Sequence, residues 1–317
     1  MMASLAAAGF DAKLVQMQDG ERYKKLETIE QLAEKLTELK ADRNAVIVAF
    51  GGGVVGDVTG LLASLYMRGV DVVQIPTTVL AQVDASIGGK TGVNLRRGKN
   101  LLGTFHQPRV VLIDPSVLAS LPEREFRAGL YEALKCGVIG RPELFRRLET
   151  IELKQLRHDA AAMEWVIAEA VKLKGEVVSA DERESGLRRV LNFGHTIAHA
   201  LEAESGYRRF LHGEAVAWGM IAAARIGAAV GVCGADTERR IVDAVRSFGR
   251  LPKVEARSRD ILRLLQSDKK TRNGVVHFVL PREIGRVEIA NNVPEKVVRE
   301  AVDALQQMSQ PEFQAQR

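Results

Sequence analysis

Three closely spaced histidines and one upstream glutamate are the clearest sign of chemistry in this chain. Only six histidines occur in 317 residues, and His195, His199 and His212 fall within eighteen of them. Glu132 lies in the segment Tyr-Glu-Ala-Leu-Lys at 131–135, more than sixty residues before His195. Imidazole nitrogens together with one carboxylate oxygen hold catalytic zinc and leave a coordination position open for water or substrate. The pattern therefore predicts a metal site.

A glycine-rich turn is the second candidate for chemistry. The segment Gly-Gly-Gly-Val-Val-Gly-Asp at 51–57 follows a predicted strand and opens a predicted helix. Glycines at such a place let the backbone approach a pyrophosphate and leave amide donors at the start of the helix. The spacing differs from the usual dinucleotide fingerprint, and tight turns also need glycine. A phosphate site and a structural turn therefore both remain open at this point.

Further polar loops follow the predicted strands. Pro-Thr-Thr at 76–78 comes after the second strand, and Val-Asp-Ala-Ser-Ile-Gly-Gly-Lys-Thr-Gly-Val-Asn at 83–94 leads to Gly-Lys-Asn at 98–100. Ligands of open parallel sheets bind beyond the carboxyl ends of the strands. We therefore expect these hydroxyls, glycines and lysines to converge on one crevice.

The elements that must position these residues differ between the two parts of the chain. Apolar runs at 45–50, 71–75 and 110–114 predict buried parallel strands, and helical spacing at 28–39 and 58–67 predicts helices between them. We predict an α/β domain at 1–122 with a doubly wound, mostly parallel, Rossmann-like sheet. A mainly α-helical domain is predicted at 123–317, with helices at 124–138, 160–178, 196–204, 214–230 and 236–248 and one strand pair at 275–280 and 286–289.

Composition narrows the class of function. Hydrophobic residues make up 46% of the chain, and two cysteines are too few for a disulfide framework, which favours a reducing cytoplasm. We see no secretory signal and no apolar run of membrane-spanning length. The net charge of +5 is interleaved with acids and aromatic residues are only 5%, which argues against nucleic acid. We expect a cytoplasmic protein that binds a small anionic substrate and no membrane.

Together these motifs resemble the 3-dehydroquinate synthase family of sugar phosphate cyclases. The resemblance spans about 19–281 and adds Leu-Pro-Glu-Arg-Glu at 121–125, Leu-Asn-Phe-Gly-His-Thr at 191–196, His-Gly-Glu-Ala-Val at 212–216 and Asp-Lys-Lys at 268–270. It implies the dehydroquinate synthase-like fold, tightly held NAD+, one divalent metal (zinc or cobalt) and a homodimer.

The resemblance also implies an activity. The family converts 3-deoxy-D-arabino-heptulosonate 7-phosphate into 3-dehydroquinate and phosphate in the shikimate pathway of aromatic amino acid biosynthesis. NAD+ transiently oxidises the C5 hydroxyl, phosphate is eliminated, the hydride returns, and ring opening with aldol closure forms the carbocycle. Because the substrate's own phosphate takes the C6 proton, the implied lyase has mainly to position the phosphate and balance its charge.

Site residues are carried over from the family motifs one by one. The implied metal ligands are Glu132, His195 and His212, with His199 as a proton relay or orienting group. The implied NAD+ contacts are Asp19, Gly20, Glu21, Arg22, Tyr23, Lys24, Gly53, Val54, Val55, Gly56, Asp57, Thr77, Thr78, Lys90, Lys99, Val117, Leu118, Ala119 and Ser120. The implied contacts to the anionic sugar phosphate are Arg68, Asp84, Lys90, Asn100, Lys135, Lys174, Arg188, Asn192 and Asp268-Lys269-Lys270.

One departure and three alternatives accompany this interpretation. Family members carry a further strand-helix-strand segment, about thirty or more residues, before the point that matches this start, so we expect a truncated chain. A sister cyclase that makes inosose or valiolone rings shares the early steps. A metal- and NAD-dependent polyol dehydrogenase shares the two-domain architecture. An inactive remnant is the non-catalytic alternative.

Overall fold

The computed structural model describes residues 1–96, 98–267 and 276–310. By contacts the chain divides into two compact units, one comprising Met1–Thr77 and Ala85–Asp114 and the other Thr78–Asp84 and Pro115–Arg317. The division into domains at 1–122 and 123–317 stays a prediction. Among the described residues no helix has both the length and the apolar character needed to cross a membrane.

The first unit is built around a small parallel sheet. Its elements are α1 (Met2–Ala7), α2 (Leu26–Glu38), β1 (Val46–Gly51), α3 (Gly53–Leu65), β2 (Asp71–Pro76), β3 (Val93–Leu95), β4 (Gly98–Leu102) and β5 (Val110–Val111). Strands β1, β2 and β5 pair in parallel in that order, with Val46 opposite Asp71 and Val73 opposite Val110. This confirms a mostly parallel sheet.

Apolar faces of α2, α3 and β2 form the core of the first unit. Ile29 and Leu32 of α2 pack with Val58, Leu61 and Leu62 of α3, which are the positions that helical spacing places on one face. Burial of such side chains stabilises a fold by roughly 1.5–3 kcal/mol each. The core thereby holds the start of α3 at the carboxyl end of β1.

The strands and helices of this unit depart from the prediction in three places. The predicted strand at 110–114 is paired only at Val110–Val111. The helix predicted at 58–67 begins earlier, at Gly53, because the glycine turn is itself its first turn. Strands β3 and β4 form an antiparallel ribbon in a segment interpreted from the sequence as ligand loops.

The second unit is mainly helical, as predicted. Its helices are α4 (Glu123–Gly140), α5 (Pro142–Thr150), α6 (Leu153–His158), α7 (Ala160–Ala180), α8 (His195–Glu204), α9 (His212–Ala229), α10 (Ala235–Ser247), α11 (Ser258–Ser267) and α12 (Glu295–Met308). Strands β6 (Phe278–Glu283) and β7 (Arg286–Ala290) form an antiparallel hairpin. The first strand of this pair was predicted at 275–280. Residue 275 lies outside the described residues, and 276–277 precede β6.

Helices α4 and α9 are the central elements of the second unit. Nearly every position of α9 from Gly213 to Gly227 is buried, as is typical of a helix that is apolar all round. Helix α4 is buried from Ala128 to Ile139. Glycines allow their backbones to approach closely, since a Cβ at Gly213 would lie 1.8 Å from the carbonyl oxygen of Ala128.

Candidate metal centre and its charged surroundings

Three helices of the second unit deliver the predicted metal ligands to one point. Glu132 lies in the middle of α4, while His195 and His212 are the first residues of α8 and α9. Nε2 of His212 is 3.5 Å and Nε2 of His195 is 3.7 Å from Oε1 of Glu132. One ligand atom from each residue can be chosen so that all lie within 4.8 Å of one another.

Local sequence explains why these helices start where they do. Gly194 has φ +79°, in the left-handed region, and a Cβ there would lie 2.9 Å from the backbone nitrogen of Met220 in α9. At the start of α9, Glu214 accepts the N–H of Leu211 at 2.8 Å. The same carboxylate accepts two hydrogen bonds from Arg124 of α4, both 2.7 Å long. These contacts fix the start of α8 against α9 and the start of α9 against α4.

Charges around Glu132 keep it ionised in spite of complete burial. Burial favours the neutral acid, but the ammonium of Lys135, 2.5 Å from Oε2, and the ring of His212 outweigh it and lower the pKa of Glu132 to about 2. Burial and the same ammonium lower the pKa of His195 well below its usual value. Burial also opposes protonation of His212, yet the carboxylates of Glu132 and Glu202, 3.5 and 3.3 Å from its ring nitrogens, raise the pKa of His212 to about 10.

The donor set fits a divalent metal. Neither oxygen of Glu132 accepts a hydrogen bond of standard geometry, although both are buried, so the carboxylate is available as a ligand. Two imidazole nitrogens and one carboxylate oxygen suit zinc or cobalt and leave a position for substrate. The ring of His199 lies 5.4 Å from that of His195 and 6.2 Å from that of His212, measured between centroids.

A buried chain of alternating charges extends from the metal centre. Nζ of Lys135 lies 3.9 Å from Oδ1 of Asp84, and Nζ of Lys174 donates to the same oxygen at 2.8 Å. Asp84 lies in the π-helical turn Ala81–Ala85, whose carbonyl oxygen at Asp84 also accepts from Lys174. Burial would raise the pKa of Asp84, but the two ammonium groups lower it below its usual value. Asp84 is therefore ionised and pairs with both lysines, although burial outweighs this pairing at Lys174 and lowers the pKa of its ammonium group.

Arg188 lies in a loop that one carboxylate organises. Oδ1 of Asp181 accepts the N–H and the hydroxyl of Ser185 at 2.8 and 2.9 Å, and Oδ2 accepts the N–H groups of Gly186 and Arg188 at 2.8 and 3.0 Å. The guanidinium of Arg188 donates to the carbonyl of Glu182 at 2.5 Å and the residue is 2% exposed. The backbone of 185–188 is thereby wrapped around Asp181.

Replacing Asp181 with Asn should loosen this loop, because the new amide would face the N–H donors of Gly186 and Arg188. These hydrogen bonds hold the pKa of Asp181 below its usual range, so its contribution to stability is complete above its unfolded pKa of about 3.9 and is lost as pH falls below that. We expect Asp181→Asn to melt at lower temperature at pH 7, with the difference from wild type shrinking below pH 4. Thermal melts across pH test this, with the exposed Asp243→Asn as control; an equal difference at pH 7 and pH 3 would contradict it.

In the first unit the glycine turn becomes the open start of helix α3. Gly52 is the N-cap residue, and no side chain caps this helix start. A Cβ at Gly53 would touch Ala85 at 3.4 Å, an ordinary contact, so packing does not require glycine there. A Cβ at Gly56 would lie 2.8 Å from Oε1 of Gln74, so the end of that side chain would have to shift. The amides at Gly53 offer what a pyrophosphate needs.

Lys24 joins three parts of the first unit. It is 5% exposed, and its Nζ donates to Oδ2 of Asp57 and to Oδ1 of Asn100, both at 2.5 Å. Asn100 has φ +55°. The side chain of Asn94 donates to Oε1 of Glu21 at 2.8 Å. The segment at 19–24, the β3–β4 ribbon and the start of α3 are therefore tied together.

The remaining predicted residues are placed as follows. In the first unit, Asp19 and Gly20 precede the 3₁₀ turn Glu21–Tyr23, which contains Arg22; Val54 and Val55 are in α3; Arg68 is exposed with φ +68°; Thr77 follows β2; Lys90 forms an isolated β-bridge with Phe105; and Lys99 is in β4, 3.8 Å from Glu21. In the second unit, Thr78 precedes the π turn, Val117, Leu118, Ala119 and Ser120 form the 3₁₀ turn Pro115–Ser120, and Asn192 donates to Glu184 at 3.0 Å. Lys269, with Asp268 and Lys270, lies outside the described residues.

Two carboxylates of the site were missed by the sequence interpretation, Asp181 and Glu202. Glu202 is 2% exposed, and its Oε2 is 3.3 Å from Nδ1 of His212. Helical spacing carried a signal, since His195, His199 and Glu202 follow at intervals of four and three residues and share one face. Asp181 gave no comparable pattern.

Solved structures define the class. A 2-epi-5-epi-valiolone synthase from Streptomyces hygroscopicus with NAD+ and Zn²⁺ bound is 34% identical and superposes with a TM-score of 0.89 over 96% of this chain and 86% of that one. A 2-deoxy-scyllo-inosose synthase complexed with carbaglucose-6-phosphate, NAD+ and Co²⁺ is 29% identical, with a TM-score of 0.83 over 91% of this chain and 82% of that one. Fold and site thus define a sugar phosphate cyclase with the predicted dehydroquinate synthase-like fold.

Sequence comparisons define the family within that class. The models of the N-terminal and C-terminal domains of 3-dehydroquinate synthase match residues 14–128 and 129–271. The 3-dehydroquinate synthase of Koribacter versatilis is 54% identical over 96% of this chain and 84% of that protein, and that of Solibacter usitatus is 50% identical over 94% and 84%. The chain belongs to the 3-dehydroquinate synthase family.

Proposed function

We propose that this chain is a 3-dehydroquinate synthase, converting 3-deoxy-D-arabino-heptulosonate 7-phosphate into 3-dehydroquinate and phosphate. The observation that carries the proposal is the buried trio Glu132, His195 and His212 beside the charged Lys135, in a chain about half identical to curated enzymes of that name. NAD+ and one divalent metal are the cofactors, as bound in the related cyclase structures.

The cofactors supply two kinds of chemistry. A bound divalent ion supplies Lewis acidity and bound NAD+ supplies a reversible hydride acceptor. Glu132, His195 and His212 would hold the ion, and the open start of α3 with Asp57 would serve the nucleotide. Within the described residues of the first unit, Lys24 fixes the carboxylate of Asp57 at 2.5 Å, so this group is preorganised.

The second unit contributes charge and position. Lys135, Lys174 and Arg188 are buried cations that suit a substrate carrying a phosphate and a carboxylate. The carboxylate of Asp84 lies 3.9 Å from Nζ of Lys135 and 2.8 Å from Nζ of Lys174, so it compensates both ammonium groups when the substrate is absent. His199, one turn after His195, is placed to relay a proton or to orient the substrate.

The alternative activities have weaker support. Valiolone and inosose synthases are 34% and 29% identical to this chain, whereas the curated 3-dehydroquinate synthases compared with it range from 46% to 54%. A glycerol dehydrogenase at 17% identity shares only the fold. The cytoplasmic location and the homodimer are part of this proposal, and sedimentation of the purified protein tests the latter.

Phosphate release measured with three substrates tests the function. We expect release from 3-deoxy-D-arabino-heptulosonate 7-phosphate in the presence of NAD+ and Zn²⁺ or Co²⁺. Release from sedoheptulose 7-phosphate or from glucose 6-phosphate instead would assign a sister cyclase. No release from any of the three by folded, metal-loaded protein would favour an inactive remnant.

Substitution of Arg188 tests the predicted contact between the protein and the anionic substrate. Arg188→Ala should lower kcat/KM about 100-fold or more, since hydrogen bonds from a charged donor to the substrate contribute roughly 1.5–3 kcal/mol each and a bidentate contact has two. Arg188→Lys should recover only part of the loss, because a point charge cannot replace the planar fork. Metal content and NAD+ affinity should be unchanged.

A nearby arginine provides the control for this pair of variants. Arg183 lies in the same loop and is exposed, so Arg183→Ala should keep wild-type kinetics. Full activity of Arg188→Ala, or loss of NAD+ with retention of substrate, would contradict the assignment of Arg188 to the substrate.

A further inference from the structure

Helix α8 holds a buried carboxylate that the family motifs leave without a role. Glu202 is 2% exposed and lies seven residues after His195, two turns along the same face. Burying an ionised carboxylate is unfavourable unless a partner compensates it. One such partner is a ring nitrogen of His212, since Oε2 of Glu202 is 3.3 Å from Nδ1.

A carboxylate therefore lies near each of the two ring nitrogens of His212. Nε2 lies 3.5 Å from Oε1 of Glu132, on the side where the ligand atoms of the trio meet, and Nδ1 faces Glu202. A metal binds the neutral imidazole, and because an ionised carboxylate can only accept a hydrogen bond, Glu202 selects in that form the tautomer with its proton on Nδ1. That tautomer leaves the lone pair of Nε2 directed at the metal position.

The second histidine of the trio has a different support. Nδ1 of His195 is 3.1 Å from the carbonyl oxygen of Phe193, which is a neutral acceptor. A carbonyl fixes the tautomer, but only a carboxylate adds a negative charge that makes the ligating nitrogen more basic. The two histidine ligands are thus unequal, and His212 is the stronger donor to a metal.

We propose that Glu202 is a positioning residue of the metal centre, which fixes the tautomer and ring orientation of His212 and strengthens metal binding through its charge. The proposal rests on the proposed function in one respect, that Glu132, His195 and His212 hold a divalent ion. Glu202 adds a second carboxylate near the ion. Glu132 and Glu202 together place two negative charges beside an ion of charge +2.

Metal affinity, measured without substrate, tests the role. Metal-free protein is titrated with Co²⁺ and with Zn²⁺ against a competing chelator. Glu202→Ala should weaken binding about 10- to 100-fold, the range typical of outer-shell partners of a ligating histidine. Glu202→Gln should weaken it less, about tenfold, because its amide oxygen can still accept from Nδ1 but carries no charge. The visible absorption of the Co²⁺-loaded Ala variant should change, which reports on ligand geometry.

Glu204 offers the matched control, since it lies two residues further along α8 and is exposed. Glu204→Ala and Glu204→Gln should bind both metals as the wild type does. Should Glu202→Ala fail to fold, Glu202→Gln decides, because a lowered affinity supports the role and an unchanged one overturns it. Folded Glu202→Ala with wild-type affinity and spectrum overturns it as well. A wild-type chain that binds no divalent ion would overturn the proposed function itself, and this role with it.

Discussion

Gly213→Ala is expected to weaken metal binding strongly, although it adds a single methyl group outside the ligand set. The new Cβ would lie 1.8 Å from the carbonyl oxygen and 2.5 Å from the carbonyl carbon of Ala128. Both are backbone atoms of α4, so no side chain can rotate away. Helices α4 and α9 must separate by about 1.5 Å to restore an ordinary contact of about 3.3–3.5 Å.

This separation acts directly on the metal site. His212 begins α9 and Glu132 lies in α4, whereas metal–ligand distances tolerate deviations of only about 0.2 Å. We expect the affinity for Zn²⁺ to fall about 100-fold or more and the free energy of unfolding of the metal-free protein to fall by about 1–3 kcal/mol, as for other overpacked cores.

Metal content after gel filtration and urea unfolding check both parts of this prediction. Gly175→Ala is the matched control, because Gly175 lies inside α7 and a Cβ there would meet nothing within 4 Å. That variant should bind metal normally and gain up to about 1 kcal/mol from helix propensity. Normal metal content in folded Gly213→Ala would show that α4 and α9 can adjust without moving the ligands.

Glu132→Gln is expected to have the other large effect, on metal binding and on stability together. The carboxylate is the one anionic ligand of the trio, and losing one of about four ligands of a zinc site that binds with about 10–16 kcal/mol weakens it by about 100- to 1000-fold. Phosphate release should fall below detection. In the metal-free protein, Lys135 would lose a carboxylate at 2.5 Å and keep Asp84 at 3.9 Å.

Breaking a buried ion pair by removing one partner destabilises a protein by about 3–5 kcal/mol, and we expect the lower end because Asp84 remains. Urea unfolding of metal-free protein measures this loss. Glu123→Gln changes an exposed glutamate of the same helix and should leave both metal affinity and activity unchanged. Equal stability of Glu132→Gln and the wild type would mean that Lys135 is compensated by Asp84 alone.

The sequence predicted best the bounds of those helices and strands whose residue pattern depends on local periodicity alone. The helix predicted at 160–178 spans Ala160–Ala180 and the strand predicted at 71–75 spans Asp71–Pro76, because period and apolar content are local properties. The strand predicted at 110–114 is short because pairing requires a neighbour, and β2 supplies partners only for Val110 and Val111. The β3–β4 ribbon likewise depends on pairing between two short strands, which their polar sequence did not indicate.

For the site, the sequence predicted the ligand residues but not the residues that hold them in position. Histidine clustering indicated a metal before any fold was known, since histidines are scarce in this chain. Whether Glu202 or Glu204 is buried depends on the rotation of α8 against α9, a tertiary property. Gly213 could be assigned to close packing only after Ala128 was found opposite it. The sequence alone could not distinguish a packing glycine from a glycine that contacts a ligand.

Both histidines of the trio are the first residues of their helices, and this has an electrostatic consequence. The peptide dipoles of a helix place about half a positive charge at its N-terminus. Two positive helix ends thus lie beside the position of a cation. They lower the affinity of the site for the ion unless Glu132 and Glu202 offset them. The same field favours any oxygen that becomes negative beside the cation. The two helix ends therefore weaken metal binding somewhat and, at the same time, stabilise negative charge on the substrate.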